Sequence, residues 1–116
     1  MTRRVVVTGL GVVSSLGLAR VEHFEGLKEG RSGIGPLTIT DADRLSVKIG
    51  GYADAFTPEG RFDRSDVSLF DRTTQMAVTA ADEAMAEAGV ELSEAEAVRS
   101  GVVIGTALCG METVDS

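Results

Sequence analysis

Apolar residues follow two different periods along this chain, and the contrast between them sets the first expectations. At residues 3–9, "RRVVVTG" carries three consecutive valines and a threonine with no polar alternation. β-branched residues favour strands, and an unbroken apolar run suits a strand covered on both faces, as in a parallel sheet with helices on each side. "GVVIGTALCG" at 101–110 repeats that pattern and predicts a second such strand ending in small residues. "VKIGGYA" at 47–53 predicts a weaker strand, its Gly50–Gly51 pair marking a bulge or an edge.

Helical spacing lies between these runs. In "ARVEHFEGLKEG" the residues Val21, Phe24 and Leu27 recur every three positions, which predicts a short amphipathic helix closed by Gly30. Residues 67–88, "VSLFDRTTQMAVTAADEAMAEA", predict the longest helix, with Gly89 as its C-cap. Met76, Ala77, Ala80, Ala81, Ala84, Met85 and Ala88 share one stripe there, small enough to admit another backbone. "SEAE" at 93–96 has capping-box spacing and predicts a single turn. "GRSGIGPL" and "FTPEGRFDRSD" read as loops by their Gly, Pro and Asp content, and "METVDS" begins a further amphipathic segment.

Two strands buried on both faces need two covering layers, and one long helix cannot supply them. The pattern therefore predicts the first part of a larger α/β domain. Expressed alone, the chain is expected to be insoluble or molten, with the small-residue face of its long helix uncovered.

Composition narrows the function classes. The chain has 116 residues, 43% of them hydrophobic but only 4% aromatic, so any core is built from Val, Ala, Leu and Gly. A net charge of −7 argues against nucleic acid as a partner, since phosphate binding needs surplus Lys and Arg. Asp82, Glu83, Glu87, Glu91, Glu94 and Glu96 crowd one region and read as a solvated helix face and loop. The single cysteine, Cys109, excludes an intrachain disulfide and fits a reducing compartment. Arg3 and Arg4 before an apolar run resemble an export signal. Thr8, Ser14 and Ser15 interrupt that run and its β-branched residues oppose a helix, so a cytoplasmic location is expected, with no membrane association.

Two candidate sites arise from the residues themselves. Gly9-Leu-Gly11-Val-Val-Ser14 approaches a dinucleotide fingerprint. That motif needs an immediate helix and an acid about 20 residues on, at the end of a second strand. Ser14, Ser15 and Gly17 delay the helix, the next clear strand begins only near Val47, and Asp41 and Asp43 sit in loop-like sequence. An NAD-binding oxidoreductase fragment is thus the weakest reading. Cys109 follows a strand and could open a helix, where the dipole would lower a thiol pKa. It lacks a recognisable base: His23, beside Glu22 and Glu25, reads as a surface residue, and Cys109 as a small apolar residue at a strand end. No spacing suggests a metal site, paired carboxylates or a phosphate loop with lysine.

Taken in order, "RRVVVTGLGVVSSLG", "GLKEGRSGI", "FDRTTQMAVTAADEAMAEAG" and "VRSGVVIGTALCGMET" resemble the start of β-ketoacyl-acyl-carrier-protein synthases. They are similar above all to the elongating condensing enzymes of fatty-acid and polyketide pathways. "VVVTGLG" and "GVVIGT" are the most specific segments of a resemblance that covers essentially the whole chain. It implies a thiolase-like fold, with duplicated α/β halves in five αβαβα layers and residues 1–116 as the first portion of the N-terminal half. It also implies an acyltransferase that condenses an acyl thioester with malonyl-carrier protein and releases carbon dioxide. The partners it implies are acyl-carrier protein and a second subunit, in a homodimer or in a heterodimer with a chain-length factor. No cofactor or metal is implied.

The catalytic cysteine and two histidines of that family are expected downstream of Ser116, so no catalytic residue is assigned here and the segment alone is expected to be inactive. Leu108 matches an apolar position near the acyl pocket and dimer interface; Cys109 lies one residue beyond it. Relatives often place several Lys or Arg before the aspartate matching Asp71 for carrier docking, whereas "RFDRSDVSLFD" retains only Arg61 and Arg64. The alternative from another class is a catalytically silent partner resembling a chain-length factor.

Overall fold

The computed structural model describes residues 2–107. Helix α1 spans Arg20–Lys28, strands β1 (Ile34–Pro36) and β2 (Ile49–Gly51) pair, and helices α2 (Arg64–Leu69), α3 (Arg72–Ala88) and α4 (Glu94–Ala97) follow. A single 3-10 turn at Ala42–Arg44 separates the strands. The pair is antiparallel, with Ile34 opposite Gly51 and Pro36 opposite Ile49.

This sheet corrects one expectation. Residues 30–37, which read as a loop, contain β1; Pro36 is tolerated because every strand of a two-stranded ribbon is an edge strand. The pairing is local and antiparallel. The expected strand at 47–53 is present but shortened to three residues.

The two valine-rich runs have no regular secondary structure within the described residues. Val5 is 94% exposed and Val103 is 98% exposed. A strand is stabilised by its ladder and by what covers its faces, and the described residues offer these runs neither. Residues 108–110 of the second run, with the segment from Met111, lie outside the described residues.

The long helix begins five residues later than its apolar pattern suggests, because Asp71 interrupts it. The Asp71 carboxylate accepts from the Thr74 amide at 2.6 Å and caps α3, while Phe70 and Asp71 are extended. The Thr74 side chain and amide hold the Asp71 carboxyl below its ordinary pKa. Gln75, buried one turn into α3, donates from its side-chain amide to the Phe70 carbonyl at 2.8 Å, satisfying the end of α2. At the other end Gly89 adopts φ 60° and donates to Met85 O and Ala86 O, a left-handed cap that suits glycine. The capping box at Ser93 and Glu96 forms as its spacing predicts, and the Ser93 side chain and amide hold the Glu96 carboxyl low.

Phe56 is the one buried apolar residue among those described, only 2% exposed. Arg72, at the start of α3, lies over it. Its guanidinium donates to Ala53 O at 2.7 Å and Phe56 O at 3.2 Å, and stacks 5.1 Å from the Tyr52 ring centroid and 5.4 Å from that of Phe56. A planar fork can bridge two carbonyls and face two rings at once, so this contact pins the 52–56 loop to α3.

Most of the remaining apolar surface faces outward. The accessible surface is 9589 Å², against about 6,000 Å² for a compact monomer of this mass. The radius of gyration is 17.1 Å, where about 13 Å is expected for a closed domain of this length. Val21, Phe24 and Leu27 of α1 are each more than half exposed. The isolated chain is accordingly expected to bind a hydrophobic dye such as ANS and to lack fine structure in near-UV circular dichroism. A cooperative unfolding transition with sharp near-UV bands would refute that expectation.

Candidate functional site

The Gly9–Gly11 segment is where the sequence offered a ligand, and its geometry gives those glycines another task. A Cβ on Gly9 would fall on the carbonyl oxygen of Ala84, and one on Gly11 on that of Ala80. Both glycines lie against the backbone of α3, on the stripe formed by Ala80, Ala84 and Ala88. The stripe expected to admit a backbone does so, and the backbone belongs to this same chain. That corrects the expectation that this face stays bare in isolation.

The amides between the glycines are held by side chains of α3. Leu10 N–H donates to Glu87 Oε2 at 2.7 Å, and Val12 N–H to Glu83 Oε2 at 2.9 Å. Two residues of extended chain advance about 6.6 Å and four residues of helix about 6.0 Å, so the two repeats stay in step. Gly9 and Gly11 meet the helix while Leu10 and Val12 meet carboxylates one turn apart. The G-x-G spacing thus serves close packing, and the Leu10 and Val12 amides are already engaged by carboxylates rather than open to a pyrophosphate.

The same carboxylate reaches α1. Ala19 at the N-cap has no side chain to offer, and Glu83 Oε1 accepts from the Arg20 amide at 2.8 Å in its place. The Arg20 guanidinium pairs with Glu87 Oε1 at 2.8 Å. Hydrogen bonds from the Val12 and Arg20 amides hold the Glu83 carboxyl below its ordinary pKa, helped by the charges of Arg20 and Arg61. The reading of this acidic region as a merely solvated face therefore fails for Glu83 and Glu87, and also for the capping Glu96. It holds for the exposed Asp82, Glu91 and Glu94.

His23 is half-buried rather than a surface residue, its Nδ1 lying 2.8 Å from the Ser14 hydroxyl. That hydroxyl also accepts from the Leu16 amide at 3.2 Å and stands 3.3 Å from Gly17 O, closing the Ser14–Gly17 turn. The serine is thus occupied in shaping the turn. No third group orients the imidazole among the described residues, so the pair lacks the relay that nucleophilic catalysis requires.

Arg61 and Arg64 are both exposed, just before and at the first residue of α2, and lead toward the Asp71 cap. Leu108 and Cys109 lie outside the described residues. Among the described residues no group of His, Cys, Asp and Glu could hold a metal ion, and no helix is long and apolar enough to cross a membrane.

The chain belongs to the β-ketoacyl synthase family: residues 2–115 match its N-terminal domain. It is 36% identical over 113 residues to 3-oxoacyl-(acyl-carrier-protein) synthase 2 of Synechocystis sp., covering 97% of this chain and 27% of that protein. Nodulation protein E of Rhizobium meliloti is 37% identical over 115 residues, 99% of this chain and 28% of that protein. The Staphylococcus aureus 3-oxoacyl-(acyl-carrier-protein) synthase 2 is 36% identical over 113 residues, again with 97% and 27% coverage. The chain thus spans little more than a quarter of the length of these curated relatives.

Proposed function

We propose that this chain is the first portion of a β-ketoacyl-acyl-carrier-protein synthase. That enzyme would catalyse decarboxylative condensation of an acyl thioester with malonyl-acyl-carrier protein in fatty-acid or polyketide elongation. The observation that carries this reading is the family match across residues 2–115, in register with synthases along nearly the whole chain. The exposed valine-rich runs support it, since inner strands of a five-layered αβαβα fold would leave such faces for neighbouring layers. In the reaction an acyl group held on a cysteine thioester is attacked by the enolate formed when malonyl-carrier protein loses carbon dioxide. The new carbon–carbon bond forms as the thiolate leaves. None of residues 1–116 is assigned to that chemistry. This segment contributes scaffold, part of the acyl pocket through Leu108, and dimer surface, with Arg61 and Arg64 available to an acidic carrier protein.

The test is an assay of the intact protein with acyl- and malonyl-loaded carrier protein. Carbon dioxide release with a product two carbons longer is the expected result. Condensation that appears only after a separate ketosynthase subunit is added would indicate a silent partner in a heterodimer. In an active enzyme, Leu108→Phe is expected to shorten the preferred acyl chain, read from the product-length profile. An unchanged profile would remove Leu108 from the pocket.

A further inference from the structure

The contact of Glu83 with two distant backbone amides serves no step of the chemistry proposed above and stands independently of it. We propose that Glu83 is an acid-releasable latch, one carboxylate that ties both the glycine-rich segment and the start of α1 to α3. Its two oxygens are divided between two donors, Oε2 to the Val12 amide and Oε1 to the Arg20 amide, 71 and 63 residues away in sequence. Both bonds are partly shielded from water. Neither amide has an alternative partner in its own element: Val12 is in irregular chain, and Arg20 is a first-turn residue after an alanine cap.

Protonation removes one acceptor oxygen and turns it into a donor facing an N–H group, so a single proton disables the two-armed arrangement. The charged groups around Glu83 set the direction. From α1, Arg20 faces it; from the loop before α2, Arg61 acts on it; on α3 itself, Glu87 lies one turn away and is paired with Arg20. Glu22 and His23, also on α1, are engaged by the Leu18 amide and the Ser14 hydroxyl. The carboxyl titrates below its ordinary range. The latch is therefore closed above the unfolded-state pKa and opens as pH falls through the lower folded-state value.

The experiment is amide hydrogen exchange on the intact protein, corrected for intrinsic rates, as pH is lowered from neutrality. Protection at Val12 and Arg20 is expected to fall together with one midpoint, by about tenfold or more. Glu83→Gln, with one acceptor oxygen, is expected to show the reduced protection already at neutral pH and no further acid-dependent change at those amides. Glu87→Gln, which loses the charge paired with Arg20 but not the Glu83 contacts, is expected to leave the Val12 and Arg20 amides protected. Separate midpoints for Val12 and Arg20, a Glu83→Gln variant with wild-type behaviour, or release of both amides by Glu87→Gln would overturn the proposal. The common midpoint and the Glu87→Gln pattern decide it even should Glu83→Gln fail to fold.

Discussion

Gly11→Ala in the intact protein is expected to destabilise the packing of the glycine-rich segment on α3 by about 3 kcal/mol or more. The added methyl would overlap the carbonyl oxygen of Ala80 and crowd the Ala84 amide, both of them helix backbone. A flexible side chain could swing aside; a helix carbonyl cannot move without breaking its own hydrogen bond. The segment must therefore lift, and lifting it removes the Val12 amide from Glu83 as well. Gly9→Ala meets Ala84 and Ala88 in the same way and should be similarly severe. Denaturation midpoints, together with exchange at Leu10 and Val12, measure the effect. A variant with wild-type stability would show that the glycines are not there for close approach. By contrast Gly35→Ala, where a Cβ meets nothing within 4 Å, is the control expected to change little.

Phe56→Ala is expected to cost about 3–5 kcal/mol, the range for truncating a buried aromatic. Phe56 is the most deeply buried of the described apolar side chains, so its truncation removes the contact most fully withdrawn from water. Its loss also takes away one of the two rings beneath the Arg72 guanidinium, leaving a half-buried cation above a void. Phe56→Leu should recover much of the apolar contact but not the stacked face, and so fall between the two. Thermal or chemical denaturation reads the series. Equal stability for all three proteins would place Phe56 outside any core.

Features decided within a few residues of one another were the legible ones. The helix ending before Gly30, the Gly89 cap and the Ser93–Glu96 box each depend on neighbours one turn apart, and each is present. Pairing between segments was not readable. β1 was hidden in a Gly- and Pro-containing stretch, because a three-residue edge strand needs little propensity once β2 is beside it. Phe56 reads as part of a loop because a single aromatic among polar residues has no period to announce its burial.

The site taught the same lesson more sharply. Gly-x-Gly, Ala-x-x-x-Ala and Glu-x-x-x-Glu are all visible in the sequence, and their matched advances could have predicted the docking of Gly9–Val12 on α3. Read separately, they offer a near-match to a dinucleotide loop that its own spacing argues against, an open helix face and a solvated acidic patch. The family resemblance rested on the order of the segments, so it was legible before any of these contacts.

The tertiary cap on α1 bears on the order in which the chain can acquire structure. A nine-residue helix is too short to persist unaided, and the acid that completes its first turn is 63 residues downstream. At about 5–20 residues per second, a ribosome needs about 3–13 seconds to add that stretch. Throughout that interval the nascent Arg20–Lys28 segment carries Val21, Phe24 and Leu27 without a fixed conformation. It settles only once the later helix has emerged to receive it.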